Sequence, residues 1–259
     1  VRFGWGRYFQ EQAINELQVP DGDAVFQRAQ RATHAVASIE HDLTESMTLR
    51  AEVYRKDYDH PFARHENLLN TVVVLPELKP DRILIAPDEA LAEGAEASLR
   101  YEAAEQSAWV AYTNSRVRDR TGGEWLYRSW DQRDYASGGL TWRRHDWEAS
   151  LAAAWHRGWP TTEVELATLE PFPLVGVDKR NAATVSNYAR FDIRIARRFE
   201  LGAAGELTAF LEVSNLTKRN NDCCVEYQLE DEEEEDVFLD VEARGTLPLI
   251  PSLGVLWKF

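Results

Sequence analysis

The sequence predicts an all-β protein whose strands form an antiparallel transmembrane β-barrel. Three features of the 259 residues lead to this prediction. Apolar and polar side chains alternate with a period of two in about ten segments, as they do in strands that present one face to each side of a sheet. The connections between these segments are short and long in strict alternation. The last segment ends on an aromatic residue, Phe259.

Turn-forming sequence separates the predicted strands. The strands cover about 2–9, 31–40, 47–58, 92–102, 107–117, 130–143, 147–157, 187–199 and 206–214, followed by the terminal segment. Short turns are expected at 41–46, 103–106, 144–146 and 202–205, and long connections at 10–30, 59–91, 118–129, 158–186 and 217–247. Outer-membrane barrels combine short periplasmic turns with long extracellular loops. If the last strand runs toward the periplasm, every long connection lies outside the cell.

Segment 187–199 shows the alternation most clearly. One face is apolar, and the other carries four candidates for a polar barrel lumen: Arg190, Asp192, Arg194 and Arg198. An arginine facing lipid would cost about 2–4 kcal/mol at the membrane midplane, which favours the lumen. These side chains either guide an anionic solute or pair with acidic groups on adjacent strands or on a plug. Arg55 and Arg197 fall on apolar faces, but near strand ends where a long side chain can reach polar surroundings.

The terminal segment places four apolar side chains on one face: Leu253, Val255, Trp257 and Phe259. Chain ends are usually polar and frayed. The closing strand of an outer-membrane barrel instead needs a lipid-facing row and an aromatic residue at the interface. The alternative interpretation is the last strand of a soluble β-sheet domain.

Composition narrows the classes of function. No run approaches the roughly 18 apolar residues of a transmembrane helix. The net charge of −15 argues against nucleic acid as a partner, because nucleic acid is bound by basic patches. The chain has two cysteines, which cannot form the framework of a disulfide-rich fold. The first residues carry no signal peptide, so we expect the chain to begin within a longer protein.

Three stretches resemble the C-terminal barrel of TonB-dependent outer-membrane receptors: 188–199, 210–220 and 254–259. The second has the family's pattern of a strand followed by Asn-Leu and a basic or polar kink. The third resembles the terminal strand whose final Phe is read by the barrel assembly machinery. Residues 130–133 and 158–162 agree more weakly. The family's barrel has roughly 22 strands around a plug, so the resemblance implies that residues 1–259 are one partial barrel domain of about ten C-terminal strands, with the plug absent.

The resemblance further implies active uptake of a scarce solute, such as a siderophore, corrinoid, glycan or peptide, across the outer membrane of a Gram-negative bacterium. The implied partners are outer-membrane lipid, the barrel assembly machinery at the C-terminal strand, the TonB system through the absent plug, and a small extracellular solute. Nucleic acid, a cofactor and enzymatic activity are not implied. Two alternatives remain: a self-contained small barrel acting as a pore or adhesin, and a soluble Trp-rich, carbohydrate-active β-domain.

No catalytic motif is recognisable, because the sequence shows neither a nucleophile elbow, a phosphate loop nor an identifiable acid–base pair. We therefore assign no catalytic, cofactor-binding or metal-ligating residue. His60 and His65 share a long connection with Asp57, Asp59 and Glu66, which could coordinate a metal chelate. Isolated loop histidines are the simpler interpretation.

Two further features leave alternatives open. The acidic run 230–236 either binds a hard cation through carboxylate oxygens or is a solvated, self-repelling loop. The adjacent cysteines Cys223 and Cys224 either form a vicinal disulfide, bind a soft metal, or remain a pair of thiols.

Overall fold

The computed structural model describes residues 1–69, 75–79, 81–169, 172–177, 179–232, 236–245 and 248–259. Its main element is an antiparallel sheet in which ten strands follow one another in chain order. These wall strands are β1 (Arg2–Gln10), β2 (Gln30–Thr44), β3 (Met47–Asp59), β4 (Glu89–Glu102), β5 (Gln106–Thr121), β6 (Asp134–Arg144), β7 (Trp147–His156), β8 (Tyr188–Glu200), β9 (Glu206–Ser214) and β10 (Ile250–Lys258).

Each wall strand pairs with the next, and β1 and β10 form the two edges of the sheet. Among the described residues, no pairing joins these edges, so the sheet is open. The predicted all-β class and antiparallel arrangement of about ten strands are therefore confirmed. The alternative of ten strands closing on themselves is not what the structure shows.

The strand register places side chains of like character in rows across the wall. Ile193 of β8 lies opposite Leu151 of β7 and Val213 of β9. The next residue, Arg194, lies opposite Ser150 and Glu212. Since directly opposed residues of an antiparallel pair share a face, one face of the sheet is apolar and the other is polar.

The apolar face is exposed from one edge of the sheet to the other. Its exposed side chains include Phe3, Trp5, Phe9, Val53, Leu49, Leu140, Trp142, Trp147, Leu151, Trp155, Phe191, Ile195, Phe199, Leu211, Leu253, Val255 and Trp257. A water-soluble monomer rarely exposes a continuous apolar surface of this extent. A barrel wall in contact with lipid requires one.

The two arginines expected near strand ends lie on this apolar face, and each contacts a charged or an aromatic side chain. Arg55 forms an ion pair with Asp57, at 2.8 Å, toward the end of the wall that carries the long connections. Arg197, at the opposite end, lies over the rings of Trp147 and Phe199, with its guanidinium carbon 5.2 and 4.9 Å from the ring centroids. The apolar band of the face therefore ends in charged or aromatic residues on both sides.

Several predicted strand boundaries were wrong. Residues 41–44, expected in a turn, continue β2, because their backbone pairs with β3 as far as Thr44 and Met47. Residues 130–133, expected in a strand, precede β6. Residues 118–121, expected in a loop, extend β5, and the additional strand Glu124–Tyr127 folds back on them. The hairpin between them turns at Gly122 and Gly123, which both have positive φ, as a two-residue type I′ turn requires.

The long connections contain secondary structure that the sequence analysis missed. Four pairs of antiparallel strands lie in the described part of these connections. They are Arg64–Asn67 with Arg82–Ile85, Pro160–Thr161 with Ala183–Thr184, Val164–Leu169 with Phe172–Val177, and Asp222–Glu232 with Asp236–Gly245. The acidic run 230–236, expected in a loop, falls at the tip of the last hairpin. Residues 233–235 of that run, and the side chains of the others, lie outside the described part of the structure.

Helical structure within the described residues consists of four single 3₁₀ turns: Ile14–Glu16, Val19–Asp21, Pro76–Leu78 and Gly202–Ala204. None of these helices has the length or the apolar character needed to cross a membrane.

The most buried side chains lie mainly in and beside the long connections, and most of them are polar. Asp119, Thr162, Asn215 and Asn221 are at most 2% exposed. Because a buried polar group must find hydrogen-bond partners, these residues mark the part of the molecule where the connections are fixed to one another.

Replacing Ile193 by Arg is expected to reduce the amount of protein assembled in the membrane, because an arginine on a lipid-facing position costs about 2–4 kcal/mol near the bilayer midplane. The matched change on the opposite face, Arg194→Ala, should leave assembly intact. Heat-modifiable migration of outer-membrane fractions measures the assembled barrel. The reverse ranking would mean that the polar face meets lipid.

Candidate functional site

The five long connections leave the same end of the wall and contact one another there. They comprise residues 11–29, 60–88, 122–133, 157–187 and 215–249, and we refer to them together as the loop layer. Hydrogen bonds and ion pairs make these contacts, and they join side chains to side chains or to backbone groups that are far apart in sequence. The loop layer is therefore built around polar contacts.

Asp119, near the end of β5 and beside the loop layer, is fully buried, with none of its surface exposed. Arg64 donates from Nη2 to Oδ2 of Asp119 at 2.7 Å. Arg128 donates from Nε to Oδ1 at 2.8 Å. The Gly-Gly hairpin after β5 makes the second contact possible, because it returns the chain so that the backbone N–H of Arg128 bonds to the carbonyl of Val117, at 3.1 Å. One carboxylate thus joins two connections to the wall.

Glu66 and Arg180 complete a buried charge cluster, which we define as Arg64, Glu66, Asp119, Arg128 and Arg180. Arg64 also donates from Nε to Glu66. Arg180 lies 3.6 Å from Glu66 and 3.8 Å from Asp119, so it brings in the fourth connection. Three cations meet two anions, and the cluster carries one excess positive charge.

Arg180 is the residue of the cluster with the poorest pairing. Its side chain is 10% exposed. None of its three guanidinium nitrogens has a hydrogen-bond partner among the described residues. Burial lowers the pKa of Arg180, although Glu66 and Asp119 oppose this change. The pKa of Arg64 moves the other way, because the attraction of Glu66 and Asp119 outweighs its burial.

Asn181 and Thr162 fix the chain next to Arg180. Asn181 donates from Nδ2 to the carbonyl of Tyr127 at 2.7 Å, and its backbone N–H bonds to Oγ1 of Thr162 at 3.1 Å. Asn181 adopts a left-handed backbone conformation with φ of 56°, which asparagine tolerates better than most residues. The third and fourth connections are therefore joined by amide hydrogen bonds as well as by charge.

Side-chain amides attach the first connection to the second by pairing with backbone groups. Gln18 donates to the carbonyl of His65 at 3.0 Å and accepts from the His65 N–H at 2.5 Å. Gln27 makes the same two contacts with Ala63, each at 2.7 Å. Each glutamine side chain thus makes the two backbone hydrogen bonds that a residue of a neighbouring strand would make.

An ion pair adds to this attachment. Arg82 donates from Nε to Oδ1 of Asp21 at 2.9 Å, and its Nη2 contacts the other carboxylate oxygen. This bidentate contact holds the pKa of Asp21 below its ordinary value, although burial of the carboxylate opposes the change.

Neutral hydrogen bonds attach the fifth connection, together with hydrogen bonds of Asp222 with Ser186 and of Arg219 with the carbonyl of Asn187. Asn221 bonds to both the N–H and the carbonyl of Ala189 in β8, at 2.9 and 3.0 Å. Farther along, the Tyr227 hydroxyl donates to the carbonyl of Thr162 at 2.9 Å. All five connections are therefore linked through described contacts.

An open cavity of about 220 Å³ lies between the second and third connections. Its lining combines charged, amide and aromatic groups: His65, Glu66, Asn67, Pro76, Arg82, Ser129 and Trp130. Trp130 is 48% exposed. The guanidinium carbons of Arg64 and Arg128 lie 5.3 and 5.4 Å from the centroid of its ring. The cavity offers an aromatic surface and hydrogen-bonding groups held in place by the cluster, which suits non-covalent binding of a small solute.

The four lumen candidates lie on one face and form ion pairs there. Arg190 pairs with Asp192 at 2.8 Å. Arg194 lies 3.9 Å from Glu212 on the adjacent strand. Arg198 lies 3.9 Å from both Asp146 and Glu206. Their role in lining a lumen or in guiding a solute stays a prediction.

The four residues of the predicted assembly signal lie on the edge strand or directly after it. Leu253, Val255, Trp257 and Phe259 are all exposed, and the last is 99% exposed. The Trp257 and Phe259 rings meet edge to face, with centroids 5.7 Å apart, and Trp257 Nε1 donates to the carbonyl of Ala204 at 2.8 Å. Recognition of this strand by an assembly machinery stays a prediction.

The histidine and cysteine metal sites considered from the sequence are not assembled in the described part of the structure. Within the described residues, no group of three or more His, Cys, Asp or Glu side chains is placed to hold a metal ion. His65 instead contacts Gln18 through its backbone and lies 4.0 Å from Asp21. Cys223 and Cys224 are free thiols with sulfur atoms 2.8 Å apart.

Sequence reasoning missed the buried charge cluster. Its members come from three connections and one strand, separated by up to 116 positions between Arg64 and Arg180. The weak resemblance at 130–133 and 158–162 touched this region, because Trp130 and Thr162 both lie beside the cluster, but it gave no sign of the ion pairs.

Comparison with solved structures identifies the fold. No family model and no curated protein matches the chain. The outer-membrane ferripyoverdine receptor of Pseudomonas aeruginosa is similar, with 13% identity, a TM-score of 0.53, and coverage of 85% of this chain and 27% of that one. The ferric enterobactin receptor PfeA of P. aeruginosa gives 15% identity, a TM-score of 0.56, and coverage of 84% and 32%. The FrpB iron transporter of Neisseria meningitidis gives 15%, 0.52, and coverage of 90% and 32%.

These solved structures are TonB-dependent outer-membrane receptors. The chain has the fold of part of their β-barrel, which resides in the outer membrane of Gram-negative bacteria. It spans about three tenths of the length of the receptors it resembles. The predicted resemblance to this class of receptor is confirmed at the level of the fold.

Asp119→Asn is expected to loosen the loop layer. The substitution keeps the shape of the side chain but leaves three largely buried arginines with one carboxylate. Breaking a fully buried ion pair costs about 3–5 kcal/mol, so a somewhat smaller effect is expected here. Hydrogen exchange of the backbone amides in 60–69 and 122–133 measures the effect. Glu124→Gln is the control, because it breaks an exposed pair with Lys179 in the same region. Equal protection in both variants would contradict the central role of Asp119.

Acidification is expected to detach the first connection from the second. The pKa of Asp21 is lowered in the folded protein, so its pairing with Arg82 contributes stability above the unfolded value of about 3.9. That contribution is lost as the pH falls through the still lower folded pKa. Hydrogen exchange of residues 11–29, corrected for the intrinsic effect of pH, should therefore rise below about pH 4. Asp21→Asn should remove this step, and its persistence in the variant would assign the step to other carboxylates.

Proposed function

We propose that residues 1–259 form one barrel domain, part of the wall and loop layer of an outer-membrane receptor that takes up a scarce solute with energy from the TonB system. The observation that carries the proposal is the combination of an open ten-strand meander, exposed and apolar on one face, with a polar loop layer at one end. Transport, rather than enzymatic catalysis, is the role this arrangement supports.

The solute we propose is a small metal chelate. The solved structures similar to this chain are described as receptors for ferripyoverdine and ferric enterobactin and as an iron transporter. The cavity beside Trp130 supports binding of a compact molecule with aromatic and anionic groups, because it presents a half-exposed ring beside arginine and amide groups. A glycan or a peptide would also use such contacts, so failure of every ferric chelate to bind would favour one of these solutes instead.

The two faces of the wall suggest different partners. The apolar face would contact outer-membrane lipid, and the exposed row Leu253, Val255, Trp257 and Phe259 would contact the barrel assembly machinery. The polar face, with Arg190, Asp192, Arg194 and Arg198, would line the lumen and face a plug that contacts TonB. The net charge of −15 makes nucleic acid an unfavourable partner.

The proposal is tested with cells that produce the protein carrying this chain, in backgrounds with and without TonB. Radiolabelled ferric chelates of the catecholate, hydroxamate and mixed classes are supplied at limiting iron. We expect saturable surface binding of one class in both backgrounds, and accumulation only where TonB is present. Accumulation that does not depend on TonB, together with ion conductance of the purified protein in planar bilayers, would favour a diffusion pore instead.

A variant links the binding to the cavity. Trp130→Ala should weaken surface binding of the transported chelate, because the chelate can no longer stack on the exposed ring. The ion pairs of the cluster remain. Trp125→Ala is the matched control, since Trp125 is also exposed but does not line the cavity. Equal binding by both variants would place the solute elsewhere in the loop layer.

A further inference from the structure

The adjacent thiols of Cys223 and Cys224 lie at the start of the hairpin formed by Asp222–Glu232 and Asp236–Gly245, in the fifth connection. In a regular strand, neighbouring side chains point to opposite faces. Two consecutive cysteines in such a strand would therefore hold their sulfur atoms well apart. Here the sulfur atoms are 2.8 Å apart.

A bulge explains this proximity. Asp222 pairs with Gly245 and Cys224 pairs with Arg244, so two steps along one strand oppose a single step along the other, and Cys223 is the extra residue. A bulge of this kind redirects side chains and interrupts the alternation of faces. The local backbone thus brings both thiols to the same side, where Cys223 Sγ also lies 3.2 Å from the carbonyl of Arg244.

We propose that Cys223 and Cys224 are a modification site, at which the two thiols are oxidised to a vicinal disulfide. The geometry supports a bond between these two sulfurs over a bond to another chain, because each is already the nearest sulfur to the other. The outer-membrane fold supports it as well, since chains that reach this membrane pass through an oxidising compartment.

The chemistry needs a disulfide oxidant, either a protein disulfide or a small-molecule disulfide. The thiolate of Cys223 attacks one sulfur of that oxidant, which forms a mixed disulfide and releases the other sulfur as a thiol. Cys224 then attacks the Cys223 sulfur of the mixed disulfide. The Cys223–Cys224 bond forms, and the oxidant's remaining sulfur leaves as the second thiol. Two S–H bonds of the protein are lost, one S–S bond is gained, and the oxidant leaves as two thiols that carry the two electrons and two protons.

Contact with the Cys223 sulfur suits Cys224 to the second step. Burial and the hydrogen bond with Cys223 raise the pKa of the Cys224 thiol to about 12. Such a thiol reacts slowly with an oxidant that arrives from solution, because little of it is present as thiolate. Its sulfur already contacts that of Cys223, which favours the intramolecular step.

The bond would act on the shape of the hairpin more than on global stability. The loop it closes is the shortest possible, so the gain in chain entropy is small. The bulge, however, lies between two fixed points, Asn221 bonded to Ala189 and Tyr227 bonded to Thr162. A covalent ring at the bulge would fix the direction in which the hairpin leaves the wall, and with it the contact to the fourth connection.

The test uses the full protein, extracted from membranes without reductant and denatured in N-ethylmaleimide so that burial hides no thiol. Trypsin releases one peptide with both cysteines, 220–244, because no Lys or Arg interrupts it. We expect this peptide without adducts and two hydrogens lighter than the dithiol. Prior reduction should yield two adducts. Two adducts without reduction, or a reducible dimer on a gel, would overturn the proposal.

Two further measurements separate this proposal from the proposed function. Cys223→Ser must give one adduct without reduction, which verifies that the labelling reaches the site. Proteolytic cleavage within 225–245 should accelerate when the native protein is reduced, and should be insensitive to reductant in Cys223→Ser. Both readouts concern thiols and backbone only, so they hold or fail independently of whether a metal chelate is transported. Unchanged cleavage on reduction would overturn the role in fixing the hairpin.

Discussion

The loop layer depends on the burial of one carboxylate, that of Asp119. Its two oxygens accept hydrogen bonds from arginines of two different connections, at 2.7 and 2.8 Å. A buried charge is tolerated only where such bonds replace water. The arginines are in turn shared, since Arg64 also contacts Glu66. The positions of the second, third and fourth connections therefore depend on one another through this cluster.

The wall obeys a different constraint, which is the two-residue period of the strand. The register aligns Leu151, Ile193 and Val213 on one face and Ser150, Arg194 and Glu212 on the other. A slip of one residue would exchange the faces and move arginines into the apolar row. The polar face can hold these charges because they pair across or along strands, as Arg194 and Glu212 do at 3.9 Å. Contact of the apolar face with lipid and ion pairing on the polar face thus both require the same strand register.

These two constraints explain what could be predicted from the sequence. The period of two is local, so the wall strands, the apolar face and the face of Arg190 and Asp192 were all visible without coordinates. The ends of the strands were harder to predict. The sequence before Thr44 is typical of a turn, yet β2 continues to Thr44 because its backbone pairs with β3. The charge cluster could not be found, because Arg64, Asp119 and Arg180 become neighbours only when the wall fixes the starting points of their connections.

The connections differ in the chemistry that holds them, and this difference bears on which of them can move. The first four are held partly by ion pairs, Asp21 with Arg82 and the cluster around Asp119. The fifth is anchored by neutral groups, notably Asn221 on Ala189 and Tyr227 on Thr162, and by hydrogen bonds of Asp222 with Ser186 and of Arg219 with the carbonyl of Asn187, rather than by described ion pairs to another connection. Charge pairs respond to protonation and to a charged solute, whereas amide and hydroxyl contacts respond to neither. A change in charge at the cavity would therefore act on the first four connections together, while the hairpin of the fifth would follow the geometry of its own base, where the two cysteines lie.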